Sequence, residues 1–114
     1  MKRNWTMLIE CKLTEADLLT VRRAGIAREL GVHDMTMARH LNSEGTQWQA
    51  LLDRERRRRC EETLQANSRA CSYRLMQRCG IGRQHLNKCL QRWFDATLTE
   101  IRANPSAFGI EALA

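Results

Sequence analysis

Apolar residues in this chain recur three or four positions apart and do not alternate, so the pattern predicts helices and gives strands little support. The longest predicted helix runs from Gln47 to Asn67, where no glycine or proline intervenes and Trp48, Leu52, Cys60 and Leu64 fall on one i, i+4 line. That line also passes through Arg56, which predicts an arginine partly buried and paired with a carboxylate. Nearer the N-terminus, Trp5, Met7, Leu8 and Ile9 mix with Lys2 and Arg3. Thr14 and Asp17 then have the spacing of a capping box, so a helix is expected to start near Thr14 and to break between Thr20 and Gly25. Asn104-Pro105 is a stop signal, and the tail after it shows no partner face.

An internal repeat organises the rest. Ile26, Ala27, Leu30, Gly31, Val32, Met37 and Leu41 are matched, 49 positions later, by Leu75, Met76, Cys79, Gly80, Ile81, Leu86 and Leu90. The spacing describes a short helix, a glycine in the left-handed conformation and a second helix that packs its own apolar pair back onto the first. Two copies predict an all-α fold of two helix-turn-helix subdomains joined by a long linker helix. The expected divisions are residues 1–46 for the N-terminal segment and first subdomain, 47–67 for the linker helix, 68–102 for the second subdomain and 103–114 for the tail. Ala27 permits close helix approach in the first copy, and the bulkier Met76 predicts looser or differently angled packing in the second.

Charge narrows the partner. With 19 Lys plus Arg against 13 Asp plus Glu in 114 residues, the formal charge is +6 and the sequence pI is about 9.5, which favours a polyanion. All but Lys2, Lys12 and Lys88 of these cations are arginines, whose planar fork suits phosphate and guanine edges. Cys11, Cys60, Cys71, Cys79 and Cys89 are odd in number and hold no C-x-x-C pair, which fits a reducing cytoplasm better than a disulfide framework. No apolar run approaches the roughly 18–20 residues of a membrane span, so no membrane is expected. Cys79, His85 and Cys89 match no usual zinc spacing, and the two cysteines are expected as small buried hydrophobes. No phosphate-binding glycine loop, carboxylate pair or nucleophile triad is visible. The expectation is therefore no catalytic residue, no metal and no cofactor.

The outward faces of the second helices carry the chemistry. In residues 34–43, Met37 and Leu41 turn inward and leave Met35, Thr36, Ala38, Arg39 and Asn42 outward. Arg39 suits bidentate contact with guanine, while Thr36 and the methyls of Met35 and Ala38 suit thymine methyls or phosphate. In residues 83–93, Leu86 and Leu90 turn inward and Arg83, Gln84, His85, Asn87, Lys88, Gln91 and Arg92 outward, with no carboxylate among them. Gln84 and Asn87 suit adenine, Lys88 guanine or phosphate, and Arg83 and Arg92 the backbone at the helix ends. In the dense run of Arg54 and Arg56 to Arg59, Arg57 and Arg58 are the expected phosphate contacts, although Glu55, Glu61 and Glu62 stand within reach for ordinary surface pairing.

The stretch Ile26-Ala27-Arg28-Glu29-Leu30-Gly31-Val32, followed by Met37-Ala38-Arg39-His40-Leu41 and Glu44-Gly45-Thr46, resembles the DNA-binding domain of the AraC/XylS family of bacterial transcription regulators. Leu51-Leu52-Asp53, Arg56, Cys60 and Leu64 resemble the family's connecting helix, and Trp93-Phe94 through Glu100-Ile101-Arg102 its closing segment, so the resemblance covers about residues 20 to 102. It implies seven helices, with two recognition helices in successive major-groove segments on one side of a duplex, about 34 Å apart, and binding as a monomer or bending of the DNA. It places base contacts on Met35, Ala38 and Arg39 and on Gln84, His85 and Lys88. The chain departs from the family pattern at Gly80-Ile81-Gly82, where the turn is shorter, at Leu98 for a usual proline, at Asp95 for a usual glycine and at His33 for a usual serine cap.

The combined expectation is a non-enzymatic, sequence-specific reader of double-stranded DNA in the bacterial cytoplasm and nucleoid. By the resemblance it is a stand-alone family member that activates transcription by contacting RNA polymerase. The alternative is a protein-interaction regulator whose degenerate second unit titrates another transcription regulator or polymerase.

Overall fold

The computed structural model describes residues 4–110, in which seven α-helices and one 3-10 helix occur and no strand. The helices are α1 (Trp5–Glu15), α2 (Arg23–Glu29), α3 (Asp34–Ser43), α4 (Trp48–Ala66), α5 (Ser72–Cys79), α6 (Arg83–Phe94) and α7 (Leu98–Ala103), with the 3-10 helix at Pro105–Phe108. The fold is all-α. It divides into two compact units, one ending at Glu55 and the other beginning at Arg56, so the division falls within α4.

In the first unit the core gathers Trp5, Ile9 and Leu13 from α1, Ile26 and Ala27 from α2, Met37 and Leu41 from α3, and Trp48, Leu51 and Leu52 from α4. The i, i+4, i+8 spacing of the α1 residues explains why this segment is helical from Trp5 onward. The helix expected to start near Thr14 in fact ends there. Thr14 turns its hydroxyl back to the Glu10 carbonyl, 2.9 Å away, and Asp17 accepts the Leu19 N–H at 2.9 Å in the loop that follows. These two side chains therefore end a helix and shape a turn instead of forming a capping box. The break also comes earlier than expected, over residues 16–22, and Gly25 lies inside α2.

In the second unit Cys60 and Leu64 of α4, Leu75 and Cys79 of α5, Leu86, Cys89, Leu90, Trp93 and Phe94 of α6, and Leu98 and Ile101 of α7 share one core. The cysteines behave as small hydrophobes with a weak polar edge. A hydrogen bond to Cys79, together with burial, pushes the Cys60 thiol up, and accepting it lowers Cys79, helped by Arg59, Arg78 and Arg56 nearby. Thr97 and Glu100 close a full capping box at the start of α7. The tail expected to lack a partner face does pack: Phe108 lies against this core and Ile110 is buried in it. Residues 111–114 lie outside the described ones.

The two copies of the repeat follow one backbone course. Gly31 and Gly80 both adopt the left-handed conformation, with φ of 76° and 67°. At equivalent positions the Val32 N–H donates to the Ala27 carbonyl at 3.0 Å and the Ile81 N–H to the Met76 carbonyl at 3.2 Å. This six-to-one bond closes a helix whose last carbonyls would otherwise be orphaned. The next helices then begin at Asp34 and Arg83, again 49 residues apart, so the short turn at Gly80-Gly82 keeps the first copy's length. Met76 is half-buried where Ala27 is fully buried.

Candidate nucleic-acid interface

The exposed faces of α3 and α6 are built by the same device. In each, an apolar pair four residues apart is buried, Met37 with Leu41 and Leu86 with Leu90, and α6 also buries Cys89, Trp93 and Phe94.

On α3, Met35 is 58% exposed. Arg39 and Asn42 are exposed, while Thr36 and Ala38 are half-buried. Arg39 makes no ion pair among the described residues. The first turn is held by polar side chains. His33 accepts the Met35 N–H through Nδ1 at 3.3 Å and so serves as the side-chain N-cap of α3. Arg23 pairs with Asp34 at 3.2 Å, which offsets the one carboxylate at this end of the helix.

On α6 every expected outward residue is exposed: Arg83, Gln84, His85, Asn87, Lys88, Gln91 and Arg92. Arg83 and Lys88 make no ion pair among the described residues. Arg92 is engaged, lying 5.8 Å from the centroid of the Trp93 ring and directing its guanidinium at the Cys89 sulfur, 3.9 Å away. No side chain caps this helix at Gly82. At its other end Asp95 takes a left-handed φ of 53°, where a glycine would carry no steric penalty.

The arginines of α4 are largely engaged. Arg57 pairs with Glu61 at 2.9 Å and lies over the Phe94 ring at 5.3 Å, and Arg58 pairs with Glu62 at 2.7 Å. Each guanidinium therefore already has a carboxylate partner with which a phosphate would compete. Arg56 is half-buried, but the expected carboxylate is absent among the described residues, and its buried Nε has no hydrogen-bond partner. Its position on the apolar line predicted the burial. Pairing depends on which residue stands opposite, and periodicity does not encode that.

The first unit also assembles a polar groove that the repeat does not announce. Arg22, Arg23 and Asp34 meet Gln47, Trp48 and Gln49 around an open volume of about 390 Å³ beside the start of α3. A second groove of about 580 Å³ along the turn is lined by Ala24, Arg28, Gly31, Val32, His33 and Asp34. Arg22, Arg28, Gln47 and Gln49 sit outside α3, and only folding brings them to its edge.

The class these features define is an all-α fold with two helix-turn-helix units. The same fold is found in a crystal structure of a DNA-binding transcriptional dual regulator from Escherichia coli K-12, which aligns with a TM-score of 0.81 at 18% identity over 94% of this chain and 96% of that chain. No protein-family model matches the chain, and no curated protein matches it by sequence. Among the described residues, no helix is long and apolar enough to cross a membrane.

Proposed function

We propose that this protein is a sequence-specific, double-stranded DNA-binding transcription regulator of the AraC/XylS type, with α3 and α6 as its recognition helices in the major groove. The carrying observation is the duplicated presentation of an exposed, cation-bearing helix face on which Arg39, Arg83 and Lys88 make no ion pair among the described residues. A solvated helix face ordinarily mixes carboxylates with its cations, and α6 has none between Arg83 and Phe94. Arg39 reads guanine through two parallel hydrogen bonds, with Met35 and Ala38 against thymine methyls. Gln84, His85, Asn87 and Lys88 read bases from α6. Arg22, Arg28, Gln47 and Gln49 add phosphate contacts that orient α3. The same reading makes the chain an activator that contacts RNA polymerase.

Selection from a random duplex pool should return two short blocks of base preference. On the selected duplex, Arg39→Ala should weaken binding by about 1–3 kcal/mol and relax preference at one position. Equal losses on selected and scrambled duplexes would refute base reading by Arg39. A salt series separates this reading from a protein-interaction regulator. A specific reader keeps a large ratio between the two duplexes as phosphate contacts are screened, whereas a ratio near one at every salt concentration favours the interaction protein.

A further inference from the structure

The contacts between α1 and α3 go beyond the assignment of a reading face. The Glu44 carboxylate, just past the end of α3, accepts the Trp5 N–H at 2.9 Å, the Thr6 N–H at 2.9 Å and the Thr6 hydroxyl at 2.7 Å. It thereby caps the N-terminus of a helix 38 or 39 residues away in sequence. One turn earlier, the His40 ring stacks on the Trp5 ring with centroids 4.4 Å apart and planes 6° from parallel. A carboxylate at the C-terminal end of its own helix opposes that helix's dipole, whereas at the N-terminal end of α1 it is favoured. The Thr6 hydrogen bonds, with the Trp5 N–H and nearby His40, hold the Glu44 carboxyl below the usual carboxylate range.

We infer that Glu44 is a positioning residue for DNA reading, fixing the roll of α3 by clamping it to α1. The inference rests on α3 being a recognition helix. Met37 and Leu41 bury one line of α3, and two anchors on one line let a ten-residue helix roll about it. His40 and Glu44 form a second line, about 60° around the axis, and two lines stop the roll. A roll of about 10° moves a side-chain tip about 1 Å at the ~6 Å radius of a helix with its side chains. That displacement is enough to break a two-point hydrogen bond from Arg39 to a base edge.

The test uses the full chain, a duplex selected from a random pool by the unaltered protein, and a scrambled duplex of equal composition. Glu44→Ala should weaken binding to the selected duplex about five- to tenfold and leave the scrambled duplex unchanged, the size expected for loss of a helix cap acting on one face. Glu44→Gln keeps one acceptor oxygen and should recover part of the loss. An unchanged ratio, or equal losses on both duplexes, would overturn the inference and leave Glu44 a purely structural cap. Amide exchange without DNA provides the second readout. Glu44→Ala should raise exchange across Met35 to Asn42 and leave Arg83 to Phe94 as it was. Changes confined to Trp5 to Leu8 would overturn the roll argument even if the unaltered protein shows no base preference at all.

Discussion

The two helix-turn-helix units share a backbone course and differ in how the second helix is held. α3 has ten residues, of which Met37 and Leu41 are buried. Side chains fasten both its ends, through His33, the Arg23–Asp34 pair and Glu44. α6 has twelve residues and buries five, Leu86, Cys89, Leu90, Trp93 and Phe94, while its ends rely on backbone conformation at Gly82 and Asp95. Each buried large apolar side chain contributes roughly 1.5–3 kcal/mol, so α6 is held mainly by area. A short helix with two apolar anchors needs polar fastenings, and those fastenings bring their own geometric precision.

Leu41→Ala and Leu90→Ala strike the comparison hardest. Both side chains are fully buried at equivalent repeat positions, and each loss should destabilise by about 2–5 kcal/mol in urea denaturation. Helix-resolved amide exchange should show the greater local damage in α3, where half of the buried anchors disappear. Equal damage in the two helices would mean that the polar fastenings of α3 substitute fully for area. Gly31→Ala and Gly80→Ala probe what the units share. The left-handed backbone should cost each variant about 1–2 kcal/mol in thermal unfolding, with no steric contribution at Gly31, where an added Cβ meets nothing within 4 Å. A clear difference between the two would break the equivalence of the turns.

A smaller, opposite effect is expected at Gly82, where His33 caps the first unit and nothing caps the second. A Cβ there meets only the His85 ring carbon at 4.0 Å, so Gly82→Ser should add about 0.3 kcal/mol and raise Tm slightly. The smallest effect is the pH dependence of the Glu44 cap. Its carboxyl is lowered in the folded state, so the stability it contributes is fully present above the unfolded carboxylate range and disappears as pH falls through the lowered folded value. Acid titration of amide exchange in α1 should show this loss and Glu44→Gln should abolish it, with Trp5, Thr6 and His40 the groups facing the carboxylate.

Much of the fold was legible because it repeats. The 49-residue offset located both turns, both left-handed glycines and the buried pairs of α3 and α6, since helical periodicity records which side chains face inward. Arg39, Lys88 and the carboxylate-free face of α6 followed from the same periodicity read outward. The segment from Trp5 to Glu15 was misread because Thr14 and Asp17 mimic a start signal, although Trp5, Ile9 and Leu13 already had core spacing. The fastening by Glu44 left only an indirect trace, a carboxylate at a helix end that favours cations. Local spacing also gave no trace of the packed tail at Phe108 and Ile110, or of the groove joining Arg22 to Gln47 and Gln49.

Local order therefore determined this protein's helices, its duplicated turn and the residues that cannot be buried, because each depends on interactions within about one or two helical turns. The tertiary structure alone decided which distant groups meet: Glu44 with the start of α1, Trp5 with His40, and Arg57 with Phe94. The physical reason is that a hydrogen bond or a ring stack is set by positions in space, and a chain that turns back on itself brings together residues whose spacing along the sequence carries no record of the meeting.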